Sequence, residues 1–234
     1  MREFLQDSLE KMGISPSEEA LDNFIKYNSL LIEWNEKMNL TAITEEKEVA
    51  IKHFADSLFG ASLIKEGAKV IDVGAGAGFP SLPLKILRPD LDILMLDSLG
   101  KRVNFLNEVI NSLNLKKISA IHARAEELSR KEKRESFDVC VSRAVARLAV
   151  LCEYCLPYVK AGGHFLAYKG PENADEIAEA KKAIDVLGGE ISDIKYCELP
   201  NSDITHTIIV IKKVRHTPPK YPRNGGKIAK SPIV

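Results

Sequence analysis

From Lys69 onward the chain alternates five times between short β-rich runs and helical ones, and that alternation admits few architectures. The strand-like runs are KVIDVG, LDILMLD, ISAIHA, SFDVCVS and GGHFLAYKG. Between and after them lie helical stretches: PSLPLKILRP, SLGKRVNFLNEVINSLNL, AEELSRKEK, a segment from about Leu148 to Tyr158, and NADEIAEAKKAIDVLGG. Two further strands, ISDIKYCEL and HTIIVIKKV, follow with no helix between them. The pattern predicts an α/β fold, Rossmann-like, with a mainly parallel seven-stranded sheet and helices on both faces. Such a sheet places its ligand crevice at the carboxyl ends of the first strands.

Before residue 66 the pattern is helical. Ala20, Phe24, Tyr27, Leu31 and Trp34 recur at spacings of three and four, and Ser15 before Pro16, with Glu18 and Glu19 behind, reads as a helix start. A second helix is expected through EKEVAIKHFADSLFGASLI, where Val49, His53 and Asp56 fall on one face, with Asn39-Leu40-Thr41 as the connection. The expected organisation is a helical extension over 1–65, the sheet domain over 66–214 and a basic tail over 215–234.

With 45% hydrophobic and 28% charged residues the chain reads as soluble and globular, and no apolar run reaches the ~20 residues a membrane span requires. A cytoplasmic protein acting away from membranes, as a monomer, is expected. Cys152 and Cys155 form a single CxxC in an apolar stretch; without a second ligand pair they read as buried thiols, and no metal is expected. The net charge is zero, yet from Lys212 to Val234 there are seven basic residues and no acid, so all 33 acids lie earlier. A basic tail on an acidic body suits contact with phosphate, although charge alone is equally compatible with a solubilising tail.

The stretch Asp72-Val73-Gly74-Ala75-Gly76-Ala77-Gly78-Phe79-Pro80 leaves a strand and enters a helix, the context of a nucleotide-binding loop. Its third glycine is Gly78, giving G-x-G-x-G, so the dinucleotide fingerprint G-x-G-x-x-G is not met. Asp72, two residues before Gly74, would repel a pyrophosphate but suits the cationic methionine end of S-adenosylmethionine. Asp97 ends the second strand, where an acid accepts hydrogen bonds from ribose hydroxyls. The third strand ends at His122, which places Ala125 and Glu126 beside an adenine, and Ser142-Arg143-Ala144 at the end of the fourth points Arg143 into the same crevice.

Several segments together resemble the RsmG (GidB) family of ribosomal RNA small-subunit methyltransferases: EWNEKMNLTAI (33–43), KHFADSL (52–58), DVGAGAGFPSLPLKI (72–86), DSLGKRVNFL (97–106), RAEE (124–127), SRAVA (142–146) and KYPR (220–223). The resemblance implies a class I S-adenosylmethionine-dependent methyltransferase fold and methylation at N7 of a guanine in bacterial 16S ribosomal RNA. The substrate would be that RNA or a small-subunit assembly intermediate. It further implies donor contacts at Gly74, Phe79, Ala125, Glu126 and Arg143, and a substrate side built from Asn39, His53, Arg124 and Lys169. His53 is equally readable as a structural hydrogen-bonder that locks the first helices to the sheet, and Lys169 as a phosphate contact or a strand-end cap. Guanine N7 carries a free lone pair, so no general base is expected. Three rival readings stay open. One is the same chemistry on a small molecule or a protein; another is a nicotinamide-dependent dehydrogenase, disfavoured by Asp72 and the glycine spacing; the third is an RNA-binding assembly factor that holds the donor without using it.

Overall fold

The computed structural model describes residues 1–143 and 146–234; Ala144 and Val145, within the SRAVA segment, lie outside the described residues. Helix α1 (Arg2–Lys11) leads into α2 (Glu18–Met38). The start of α2 is set by Ser17 and not Ser15: its hydroxyl accepts the Ala20 amide at 3.2 Å, and Glu18 and Glu19 then meet the positive end of the helix dipole.

The expected second helix is not a regular one. It divides into α3 (Glu46–Glu48), a π-helix (Val49–Ala55) and α4 (Asp56–Leu58), followed by a 3₁₀ turn over Ala61–Leu63. A π-helical turn takes in one extra residue and re-aims the side chains within and beyond it. Here those are Lys52 and His53 within the turn and Asp56 just after it.

The alternating region follows in the expected order: β1 (Lys69–Val73), α5 (Ser81–Leu87), β2 (Asp92–Asp97), α6 (Gly100–Ser112), β3 (Ile118–His122), α7 (Ala125–Leu128), β4 (Phe137–Arg143), α8 (Leu148–Cys155), β5 (Val159–Lys169), α9 (Ala174–Val186), β6 (Gly189–Glu198) and β7 (Thr205–Lys213). A short helix α10 (Gly225–Lys230) comes after the sheet. Helix α7 is shorter than its sequence pattern suggests. Beyond Leu128 the run SRKEKRE has no apolar residue to bury, so nothing holds a helix there.

The sheet has the order β3-β2-β1-β4-β5-β7-β6, parallel except for β7, which runs antiparallel between β5 and β6. The order reverses between β1 and β4, and the crevice opens at that switch point. Alternation along the strands sends Val70, Met95, Val139 and Leu166 to one face, where α1, α2, α5 and α6 cover them. Ile71, Leu96, Cys140 and Phe165 face the other way, onto α8 and α9. The first helices thus share a hydrophobic cluster with the sheet. Cys140, Cys152 and Cys155 are fully buried free thiols in the second cluster. No helix among the described residues is long and apolar enough to cross a membrane.

Candidate active site

Three adjoining cavities lie along the carboxyl ends of the strands. The first, about 480 Å³, is lined by Gly74, Asp97, Ser98, Ala125, Glu126, Tyr154 and others. The second, about 350 Å³, shares Gly74, Asp97 and Ser98 with it and adds Thr41, His53, Phe79, Arg102 and Arg143. The third, about 380 Å³, again has His53 and Arg143 in its wall, with Lys52, Asp56, Tyr168, Lys169 and His206. Shared walls make them one cleft with two inner lobes and an outer pocket.

The glycine loop is tied down by its own backbone. The amides of Gly74 and Ala75 donate to the Leu96 carbonyl at 2.8 and 3.0 Å, and the Gly76 amide donates to Asp97 at 2.9 Å. A pyrophosphate would need those three N–H groups, and all are spent within the protein. Gly76, at φ +59°, is in the left-handed region that aims its amide at Asp97. Gly78 has a different task. At φ +98°, it faces α2, and a Cβ there would stand 2.3 Å from Leu82 and 2.9 Å from the Tyr27 hydroxyl. That hydroxyl donates to the Ala77 carbonyl, so α2 clamps the loop from behind; Gly78 does not line the cleft.

Asp97 sits at the junction of the inner lobes, 2% exposed, and also accepts the Leu99 amide at 2.9 Å, with Arg102 at 3.6 Å. It therefore shapes the loop and the start of α6 while facing both lobes. Replacing it with alanine should weaken binding of S-adenosylhomocysteine by about 150-fold or more, because the two charge-assisted hydrogen bonds that hold the loop and the start of α6 are lost, roughly 1.5–3 kcal/mol each. Calorimetric titration measures it, and an unchanged affinity would show that the loop stands without Asp97.

Asp72 lies beneath the loop, wholly buried, and among the described residues neither carboxylate oxygen has a partner at full hydrogen-bonding geometry, Ser81 being the polar group that approaches it. Burial pushes its pKa up to about 7, opposed first by the nearby Ser81 hydroxyl and then by the charge of Arg143 and the Ser81 amide. It does not line the cleft wall.

Arg143, at the end of β4, is the centre of the outer half. Its guanidinium lies 4.7 Å from the Phe79 ring centroid, pairs with Asp56 at 2.6 Å and approaches His53 Nδ1 at 3.3 Å. Asp56 in turn receives His206 Nδ1 at 2.7 Å. The His53 ring stacks on Phe79 at 4.4 Å, with Nε2 2.8 Å from the Thr41 hydroxyl. Burial and the adjacent Arg143 cation lower the His53 pKa to about 3, so the ring is neutral near pH 7.

The other expected site residues fall in several places. Lys169 lines the outer pocket, but its ammonium already meets the Ala146 carbonyl at 2.6 Å and Glu176 at 2.8 Å. Arg124 stands on the rim of the first lobe, away from His53. Asn39 is exposed and ends α2 in the left-handed conformation, φ 47°, which asparagine tolerates; its neighbours Leu40 and Thr41, not Asn39, line the cleft. Thr41, Asp56, Arg102, Tyr168 and His206 join the cleft without having been expected there. Asp56 left a trace in sharing a helix face with His53, and Arg102 in standing five residues after Asp97 on the helix that opens at the cleft, while Tyr168 and His206 left none.

The tail differs most from expectation. Lys213 is fully buried, donating to the Leu156 carbonyl at 2.7 Å and paired with Glu135 at 3.1 Å; Arg215 pairs with Asp185 and Arg223 with Glu153. Lys212, Lys220, Lys227 and Lys230 stay exposed.

Comparison with known proteins agrees with this geometry. The family model described as GidB, rRNA small subunit methyltransferase G, matches residues 20–205. A protein of Alkaliphilus oremlandii named ribosomal RNA small subunit methyltransferase G is 50% identical over 100% of this chain and 99% of its own length. A protein of the same name from Lachnoclostridium phytofermentans is 53% identical over 99% and 96%. Among solved structures, TYW2 of M. jannaschii in complex with AdoMet superposes with a TM-score of 0.57 at 14% identity, covering 74% of this chain and 80% of that one, a likeness of fold alone. With the matched region spanning loop, cleft and most of the sheet, the chain belongs to the family of ribosomal RNA small subunit methyltransferase G.

Proposed function

We propose that the chain transfers a methyl group from S-adenosylmethionine to N7 of a guanine in 16S ribosomal RNA, free or within a small-subunit assembly intermediate. The observation that carries this reading is the continuity of the cleft: His53 and Arg143 wall both the inner lobe at the glycine loop and the outer pocket. A group held in the lobe is thereby brought against a group held in the pocket.

The residues present fit the donor. The amides of Gly74, Ala75 and Gly76 are withheld from a pyrophosphate, and beneath the loop the buried Asp72 carboxylate would supply, when ionised, a negative charge suited to the methionine ammonium. Asp97 would hold the ribose hydroxyls, Ala125 and Glu126 would flank the adenine, and Arg102 would offer a cation to the donor's carboxylate, all four residues lining the inner lobes. Gly74, Gly76 and Phe79 line the passage toward the outer pocket. When bound, the donor supplies a methyl group activated by its sulfonium charge.

Guanine N7 needs no deprotonation before attack, and the neutral His53 ring accordingly has an orienting role. His53 and Phe79 form a stacked pair, and Arg143, fixed by Asp56, holds the wall between donor and base. Catalysis then consists chiefly of alignment with water excluded, with roughly 7–11 kcal/mol available from proximity. The base must enter unstacked, because side chains do not read the deep major groove of A-form RNA.

Incubating the chain with methyl-labelled donor and either 16S RNA or small subunits lacking the modification should yield 7-methylguanine in nuclease digests analysed by mass spectrometry. Label at another base or atom, or no transfer to either substrate, would overturn the reading.

A further inference from the structure

The segment after β7 is folded against the domain through its backbone and is not a free arm. Thr217 is buried, with its hydroxyl donating to the Leu187 carbonyl at 2.8 Å and its amide to Glu135 at 2.7 Å. Arg134 donates to the carbonyls of Thr217 and Tyr221 at 2.7 and 2.8 Å, and Arg130 to that of Pro222 at 2.6 Å. Two cations of the sheet domain are therefore spent on holding the main chain of this segment.

At Arg223 the contact becomes charged and buried. Its guanidinium meets Glu153 at 2.6 Å, and its own amide donates to the same carboxylate at 2.7 Å. Glu153 is 1% exposed, so the pair is shielded from solvent screening. The next residue on α8 is Tyr154, which lines the first lobe, and two residues after Arg223 comes Gly225, which lines it from the opposite chain segment. A Cβ at position 225 would stand 2.3 Å from a Glu126 carboxylate oxygen. Asn224 caps α10 by accepting the Lys227 amide at 2.9 Å, and Ile228 is buried beneath that helix.

We propose that residues 217–228 form the outer wall of the donor's adenosine lobe, and that the Glu153–Arg223 pair is the latch that keeps this wall closed. The inference rests on the reading that the adenosine end of S-adenosylmethionine occupies that lobe. The latch ties the wall to α8, the helix that also presents Tyr154 to the lobe, so closure and lobe shape are one mechanical unit. A purine held there gains an enclosing surface that strand ends alone do not provide, and small-molecule sites bind by burying most of their ligand. The matched family region ends at residue 205 and does not include this segment.

The test is calorimetric titration of S-adenosylhomocysteine into the full chain and two variants, with 16S RNA binding measured in parallel at fixed salt. Gly225→Trp fills the lobe from the wall without touching the latch, and should weaken nucleoside binding about thirtyfold or more with RNA affinity retained. Arg223→Gln opens the latch and should cost about tenfold. Should Arg223→Gln fail to fold, Gly225→Trp still decides. Variants that bind the nucleoside like the unaltered chain, or lose only RNA affinity, would make the segment an RNA arm and overturn the proposal. No binding by the unaltered chain would remove the donor reading itself, and this proposal with it.

Discussion

Replacing Asp56 with alanine should lower the melting temperature by roughly 6–20 °C, which corresponds to about 3–5 kcal/mol for breaking a buried ion pair in a chain of this size. Asp56 is 2% exposed and its two oxygens serve Arg143 and His206, 150 residues further along the chain. Without it, Arg143 keeps, among the described residues, the Lys52 carbonyl at 3.4 Å, the His53 nitrogen, the Phe79 ring and the longer-range charge of the partly protonated Asp72. None of these fully neutralises a guanidinium that is largely out of water. Most of the cost thus comes from the partner left behind, not from the intrinsic strength of the bond. The double variant Asp56→Leu with Arg143→Met removes both charges and should recover much of the stability while activity stays lost. Scanning calorimetry alongside a methylation assay reads both. If the single variant melts within a few degrees of the unaltered chain, Arg143 has another counter-charge and the outer pocket is not organised by Asp56.

The Asp72→Asn variant should move stability the other way. Burial raises the Asp72 pKa from 3.8 to about 7, so between those values the folded chain binds a proton that the unfolded chain has released. Folding therefore loses stability as pH rises from about 4 to about 7, and the loss is complete above pH 7. The amide carries no such penalty, and the variant should be more stable than the unaltered chain at pH 8 by up to about 4 kcal/mol. At pH 4 the two should melt alike. On the proposed placing of the donor, the same substitution should also weaken S-adenosylhomocysteine, because the anion proposed to answer its ammonium is gone. Greater stability together with poorer binding marks a charge kept for function at the expense of the fold. Equal melting curves at pH 8 would mean that Asp72 finds compensation in the free protein.

The central strands were legible because a parallel sheet buries both faces and leaves continuous apolar runs, while the half-exposed edge strands β3 and β6 show instead as alternating runs between turns; all seven lie where their runs predict. The glycine loop and Asp97 were legible for a similar reason, since the backbone geometry there restricts residue type. The outer pocket was much less so. The π-helix changes the repeat within seven residues, too few for a pattern to register, and its effect is to re-aim His53 and Asp56. Lys213 looks like one more cation of a basic tail, but its charge is answered by Glu135, a residue of a distant loop. The same holds for Arg223 with Glu153, and for Asp56 with His206. Pairings of residues 70 to 150 positions apart leave no local trace. Gly78 shows the converse: the sequence offers three glycines of one apparent purpose, while the structure gives the third to the Tyr27 hydroxyl.

The Tyr27 clamp bears on how this family can be engineered. Since α2 reaches through the Tyr27 hydroxyl to the backbone of the glycine loop, a chimera joined near residue 66 exchanges more than a set of leading helices. The incoming helix must supply a phenol at the right depth, opposite a residue without a side chain. Hybrids that ignore this match would carry a misplaced donor loop even where every strand is native, and their first defect would be in cofactor affinity, not in the choice of RNA.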